Sequence, residues 1–221
     1  MACRLRLLGP ELAAAGLGPG LAVSTEPHLV PAGPAEAAAA ASMPERRRLE
    51  FLAGRLAARR ALRSVGLECG EIPRAGRLPC FPPGRAASIS HSAGVAVAVA
   101  RAPGRDTPLG CDLELRPLPA GAARLVLRAD EEELLRTAGS EAGPWSVTAL
   151  FSAKEAAWKA LRASRRLPAG CVPRNLRDLR ARPYGGGLRI ENRAAAALAV
   201  HVHVTTAGPG VLSTVLGWST P

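Results

Sequence analysis

Two acidic residues that stand two positions apart in a short apolar segment could bind a metal ion. Residues 109–115 read Leu-Gly-Cys-Asp-Leu-Glu-Leu, an alternation that predicts a β-strand. Because successive side chains of a strand point to opposite faces, Asp112 and Glu114 lie on one face and the apolar side chains on the other. The two carboxylates repel each other, and a divalent cation such as Mg²⁺, which prefers oxygen ligands, would relieve the repulsion. Taken alone, such a pair is more often the solvated face of an edge strand.

A second set of charged residues lies in a predicted helix over residues 147–163. Glu155 and Lys159 stand four apart and share a helix face, where they could add a third carboxylate and a cation to a metal and phosphate site. Lys154 points about 100° away from Glu155, so we expect it to serve a different surface and to hold the helix against its neighbour. An ordinary surface ion pair is the alternative. Aromatic residues make up 3% of the chain, and Trp158 in this segment favours a partly buried helix.

A third polar cluster, Ser-Ile-Ser-His-Ser at residues 88–92, opens a segment with β pattern. Ser90 and His91 are short polar donors that could contact a nucleotide phosphate. A lone histidine is more often structural, and hydroxyl groups often satisfy the polar groups of a strand end. The cluster gains functional weight only if it lies near a phosphate site.

The elements that would position these residues can be predicted from local patterns. Apolar residues at helical spacing, with arginines on the opposite side, predict a helix over residues 44–65. The Pro- and Gly-rich residues 72–84 predict a loop. Residues 87–100 read as a strand, and the turn at 103–104 leads to the second short strand at 109–115, so we expect these two strands to form a hairpin.

In the second half, Asp130 and Glu133 resemble a capping box that opens a helix over residues 131–136. The acidic residues 131–133 are therefore interpreted as partners of the helix dipole and not as catalytic acids. Three later segments have strand patterns: Leu188–Glu191, Ala197–Thr205 and Val211–Trp218. Both halves thus run from helix to strands, which predicts an α+β fold with two subdomains, residues 1–106 and 107–221.

Composition narrows the range of partners and compartments. The net charge of +11 favours an anionic partner. We do not expect nucleic acid, because aromatic residues are scarce and no recognised nucleic-acid-binding motif is present. We do not expect a membrane protein or an exported one, because no apolar run is long enough for a bilayer and Gly and Pro interrupt the first 20 residues. Five scattered cysteines without metal-ligand spacing indicate a reducing compartment, the cytoplasm. We expect a monomer.

Three segments in this order and spacing resemble the signature blocks of Sfp-type 4'-phosphopantetheinyl transferases. They are SISHS at 88–92, GCDLE at 110–114 and FSAKEAAWK at 151–159. Upstream, RRLEFLAGRLAAR from Arg47 resembles the first arginine-bearing helix of the family. RAGRLPCFP from Arg74 resembles the loop of its enterobactin-synthase-like branch. Where the family often has a branched aliphatic residue before the aspartate, this chain has Cys111, which can pack as a small apolar side chain.

The resemblance implies an α+β fold of two similar subdomains in pseudo-twofold arrangement, with coenzyme A in the cleft between them. It implies transfer of 4'-phosphopantetheine from coenzyme A to a serine of an apo acyl or peptidyl carrier protein, with Mg²⁺ as cofactor. By the same resemblance, the metal ligands would be Asp112, Glu114 and Glu155, and the catalytic residues Glu155 and Lys159. The residues that bind coenzyme A would be Arg47, Arg55, Arg74, Arg77, Ser90, His91, Asp112, Glu155 and Lys159.

Two other functions fit parts of the same pattern. A nucleic-acid-binding module would fit the positive charge, but not the scarcity of aromatic residues. A metal-dependent phosphohydrolase could use the same three carboxylates. Turnover of coenzyme A only in the presence of a carrier protein would distinguish the transferase from the hydrolase.

Overall fold

A computed structural model describes residues 9–135, 145–164, 166–168 and 170–219. The chain divides into two compact units, Met1–Leu109 and Gly110–Pro221. Each unit combines helices with antiparallel sheet, so the predicted α+β class is confirmed. Within the described ranges, none of the helices has the length and hydrophobicity of a membrane span.

The first unit is a helix packed on a small sheet. Its order along the chain is α1 Gly9–Ala14, β1 Leu17–Val23, α2 Pro34–Ala41, α3 Glu45–Ser64, β2 Arg74–Ala75, β3 Leu78–Pro79, β4 Ala87–Ser92 and β5 Val95–Arg101. The sheet has the antiparallel order β1-β5-β4, and β2 pairs with β3 inside the predicted loop. The long helix α3 agrees with the prediction for residues 44–65.

Small side chains bring α3 close to the sheet. Ala57 and Ala61 of the helix pack against Ala98 and its neighbours in β5. In β1, a Cβ atom at Gly20 would overlap the carbonyl oxygen of Ala57, so glycine permits the approach of the helix. Because β1 is an edge strand, it also tolerates Pro19. The sequence pattern missed β1, because its Gly and Pro residues are typical of a loop.

The predicted hairpin is wrong. Residues 87–100 form two strands, β4 and β5, which pair with each other across a two-residue turn. Ala93 and Gly94 in that turn have φ values of 48° and 78°, the positive values that a tight type I′ hairpin requires. The segment predicted at 109–115 pairs instead within the second unit.

The second unit packs one long helix on a five-stranded sheet. Its strands and α-helices are β6 Cys111–Glu114, α4 Ala123–Val126, α5 Val147–Ala163, β7 Leu179–Tyr184, β8 Gly187–Asn192, β9 Ala195–Ala207 and β10 Gly210–Ser219, and short 3-10 helices cover Ala120–Ala122, Ala129–Leu135 and Leu176–Asp178. The sheet is antiparallel, in the order β6-β10-β9-β8-β7. The predictions of α5, β8, β9 and β10 are confirmed. The sequence pattern did not predict β7. Its arginines and Pro183 are unusual in a central strand, but β7 lies at the edge of the sheet, where proline is tolerated.

The core of this unit lies between α5 and the sheet. Leu150 and Leu161 of the helix pack with Ile190 and Val202 of the sheet. The predicted helix over residues 131–136 is replaced by the 3-10 helix Ala129–Leu135, and Arg136 lies outside the described residues.

Candidate active site

Lys159 of α5 reaches Asp112 of β6. The ammonium Nζ donates to Oδ1 of Asp112 at 2.8 Å and to the carbonyl of Cys111 at 3.0 Å. Ser152 Oγ, two turns earlier on the helix, donates to the carbonyl of Asp112 at 3.2 Å. A Cβ atom at Gly110 would overlap the carbonyl oxygen of Ala156, so this glycine lets α5 lie directly on the start of β6. Asp112 is 4% exposed, so the alternative of a solvated strand face does not hold for this carboxylate.

The three predicted carboxylates influence one another electrostatically. Burial raises the pKa of Glu114 to about 7, and the charges of Asp112 and Glu155 add to the shift, whereas Lys159 opposes it. Burial also raises the pKa of Glu155, against the attraction of Lys159. For Lys159 itself, burial is the largest influence and favours the neutral amine, but Asp112, Cys111 and Glu155 together outweigh it and the pKa is raised. The site therefore holds three carboxyl groups beside one ammonium group, and the raised pKa values of Glu114 and Glu155 disfavour their charged forms.

The donor chemistry of these residues fits a divalent cation. All three side chains offer oxygen ligands, and a bound cation would offset the repulsion that contributes to the raised pKa of Glu114. Within the described ranges, no three His, Cys, Asp or Glu residues are arranged as a ready-made metal site. The ammonium of Lys159 contacts Asp112.

Lys154 lies on a different side of α5 and is completely buried. Its Nζ donates to Glu131 Oε1 at 2.7 Å and to the carbonyls of Val126 and Leu179 at 2.8 and 3.0 Å. Burial lowers the pKa of Lys154, and Glu131 opposes that shift. The prediction that Lys154 holds the helix against its neighbours is confirmed. Glu131 lies in the first turn of a helix, as predicted, but its side chain is buried and binds four groups, which the sequence did not indicate.

In the first unit, α3 and β4 bring two predicted ligands together. Arg47 Nη1 lies 2.9 Å from Nε2 of His91 and 3.5 Å from Glu50 Oε2. Because a guanidinium can only donate, Nε2 of His91 is the acceptor in this contact. The Arg47 side chain remains 52% exposed. Ser90, which lies next to His91 on β4, is buried. The contact of Glu50 with Arg47 was not predicted from the sequence, although residues three apart in a helix lie on the same face.

The other predicted arginines differ in their surroundings. Arg55 is 6% exposed, and its Nε donates to the carbonyl of Ile72 at 2.8 Å. Its guanidinium also stacks on Phe51, 4.6 Å from the ring centroid. Burial lowers the pKa of Arg55 to about 10, and the charge of Arg74 adds to the shift. Arg74 and Arg77 are exposed around the β2–β3 turn, where Arg74 Nε donates to the carbonyl of Gly76 at 3.2 Å.

Comparison with known proteins matches both units. The family model "4'-phosphopantetheinyl transferase N-terminal domain" matches residues 35–101, and "4'-phosphopantetheinyl transferase superfamily" matches residues 108–205. Enterobactin synthase component D of Salmonella typhi and that of Escherichia coli (strain K12) are each 38% identical over 120 residues. The match covers 52% of this chain, 48% of the Salmonella protein and 55% of the E. coli protein, so it spans about half the length of these relatives. The chain belongs to the 4'-phosphopantetheinyl transferase superfamily.

Proposed function

We propose that the chain transfers the 4'-phosphopantetheine moiety of coenzyme A to a serine of apo acyl or peptidyl carrier proteins. The products are the holo carrier protein and adenosine 3',5'-bisphosphate. The observation that carries this proposal is the contact of Lys159 with Asp112 beside Glu114 and Glu155, in a chain whose family acts on this group.

The chemistry of the reaction matches these residue types. The serine oxygen attacks the β-phosphorus of the pyrophosphate, and the bond to the bridging oxygen breaks, so that the nucleotide leaves with that oxygen. The serine proton needs an acceptor, and the polyanion needs cations around it. Glu155 is the proposed acceptor, since its raised pKa makes it a stronger base than an ordinary carboxylate. Lys159 is proposed to stabilise the charge on the leaving nucleotide.

Mg²⁺ is the proposed cofactor. Its ligands would be Asp112, Glu114 and Glu155. When bound, the ion would supply positive charge to the pyrophosphate. Because Lys159 contacts Asp112 in this conformation, its ammonium would share that carboxylate with the ion.

The proposed ligands for coenzyme A lie in two groups. In the first unit they are Arg47, Arg55, Arg74, Arg77, Ser90 and His91. In the second unit they are Asp112, Glu155 and Lys159. Exposed Arg47 beside His91 supports a phosphate contact, because guanidinium groups bind phosphate through charge-assisted hydrogen bonds. For Arg55 the support is weaker, since its Nε already binds Ile72.

The cytoplasm is the proposed compartment, and a monomer that binds neither nucleic acid nor membrane is the proposed state. The free thiols of Cys69, Cys80 and Cys171 support a reducing environment.

A mass measurement tests the function directly. The chain is incubated with coenzyme A, Mg²⁺ and a panel of apo carrier proteins, and each carrier is weighed by mass spectrometry. We expect a gain equal to one phosphopantetheine arm, and no gain on a carrier whose acceptor serine is changed to alanine. Consumption of coenzyme A without any carrier would instead favour a phosphohydrolase.

A further inference from the structure

A second ion pair on α5 lies apart from the contact of Lys159 with Asp112. Lys154 and Glu131 are both completely buried, with 2.7 Å between Nζ and Oε1. The carbonyls of Val126 and Leu179 accept the two other protons of the ammonium. All three donors of the lysine are therefore used.

Glu131 connects α5 to several other parts of the second unit. Besides Lys154, its carboxylate accepts from the backbone N–H of Ala181 at 2.8 Å and of Arg128 at 3.2 Å. It also accepts from Arg193 Nη2 at 2.9 Å, and Arg193 in turn forms two hydrogen bonds to Asp130. One carboxylate thus joins the 3-10 helix, α5, β7 and the turn between β8 and β9.

We expect the buried ion pair to fix the orientation of α5 more than it adds to the free energy of unfolding. Removing two charges from water costs free energy that their attraction only partly returns, and apolar pairs often stabilise a core equally well. Much of the buried face of α5, however, consists of alanines, Ala153, Ala156, Ala157 and Ala160, whose short side chains restrict rotation of the helix less than larger side chains would. Directional hydrogen bonds to Lys154 restrict that rotation.

We propose that Glu131 is a positioning residue for the transfer reaction. Through Lys154 it sets the rotation of α5 and so holds Lys159 and Glu155 at Asp112. Lys154 and Glu155 are adjacent in one rigid helix, so a rotation that displaces the first displaces the second by the same angle. This inference rests on the proposed function for its catalytic meaning, but its geometric part can be tested without any substrate.

The two lysines of the chain provide that test. Lysine occurs only at positions 154 and 159, so a protein labelled with isotopic lysine gives two side-chain signals in a nuclear magnetic resonance spectrum. A Lys159→Arg spectrum assigns them. Glu131→Gln keeps the shape of the side chain and removes its charge, and we expect it to shift both signals. The matched control Asp130→Asn removes an exposed carboxylate from the same network, and we expect it to leave the Lys159 signal in place.

A second variant keeps the test valid if Glu131→Gln does not fold. Glu131→Asp keeps the charge but withdraws it by one methylene group, and it should also shift the Lys159 signal. The proposal is overturned if both Glu131 variants are folded and shift the signal of Lys154 alone.

Kinetics then connect the geometry to catalysis. In Glu131→Gln we expect kcat to fall by about tenfold or more, as for other groups that orient catalytic residues, while the KM for coenzyme A stays near that of the wild type. Wild-type kcat in a folded Glu131→Gln protein would contradict the positioning role. If the wild-type chain modifies no carrier, the proposed function fails, and the spectra still decide whether Glu131 sets the place of Lys159.

Discussion

Lys159 Nζ lies 2.8 Å from Oδ1 of Asp112, so the carboxylate proposed to bind the metal already contacts a cation from the chain itself. The Lys159 side chain is 26% exposed, and that of Asp112 is 6% exposed. Partial burial strengthens this attraction relative to a surface ion pair. The ammonium thereby compensates the charge of a buried carboxylate.

The first prediction concerns Asp112 itself. Asp112→Asn should abolish transfer and weaken Mg²⁺ binding, because it removes one of three proposed anionic ligands. The free energy of unfolding should fall by about 1 kcal/mol, since Lys159 loses its charged partner but keeps the Cys111 carbonyl. Transfer assays, calorimetric Mg²⁺ titration and urea denaturation measure the three effects.

As a control, Glu132→Gln changes an exposed carboxylate and should match the wild type. Transfer by Asp112→Asn at ordinary Mg²⁺ concentrations would refute the metal assignment.

The second prediction separates the two lysines. Lys154→Arg should lower the free energy of unfolding by about 1–3 kcal/mol, because the larger guanidinium overpacks a completely buried site. Lys159→Arg should cost less stability, since Lys159 is partly exposed, but it should lower turnover because a planar guanidinium replaces a compact ammonium. Thermal denaturation and steady-state kinetics measure both variants; wild-type turnover by Lys159→Arg would show that charge alone suffices.

The third prediction is a pH dependence of stability in the metal-free protein. Burial raises the pKa of Glu114 from 4.5 to about 7, so between these values the folded state binds more protons than the unfolded state. Stability must therefore fall as pH rises through this window. Melting temperatures from pH 5 to pH 7.5 should show the decrease, and Glu114→Gln should flatten it, whereas Glu132→Gln should keep the wild-type slope. An unchanged slope in Glu114→Gln would mean that Glu114 titrates normally.

The fourth prediction tests the arginines of the first unit. Arg47→Ala should weaken coenzyme A binding on the order of tenfold, because a charge-assisted hydrogen bond to phosphate is lost. Salt should weaken wild-type binding as well, since about 0.1 M salt screens charges beyond about 10 Å, and dephospho-coenzyme A should bind less tightly. Calorimetry at two salt concentrations measures these effects. Arg63→Ala on the same helix, where Arg63 pairs with Glu68 at the surface, is the control; equal loss in both variants would argue against a specific phosphate contact at Arg47.

Local sequence patterns determined the long helices, the pairing of two carboxylates on one strand face and the family of this protein. The bounds of α3 and α5 follow from apolar spacing that repeats within each helix, and the shared face of Asp112 and Glu114 follows from the two-residue period of a strand. The three polar blocks, in their order along the chain, indicated the family before any contact was known. These features depend only on residues close together in sequence.

Tertiary structure decided which segments meet. The pairing of β6 with β10 depends on sheet topology, and no local pattern distinguishes it from the expected hairpin with residues 87–100. The contact of Lys159 with Asp112 joins residues 47 positions apart. The sequence indicated that Glu131 lies in a first helical turn but not that it is a buried partner of Lys154, because burial is a property of the packed unit. Long-range contacts are selected by the collective packing of the core, which a short stretch of sequence does not contain.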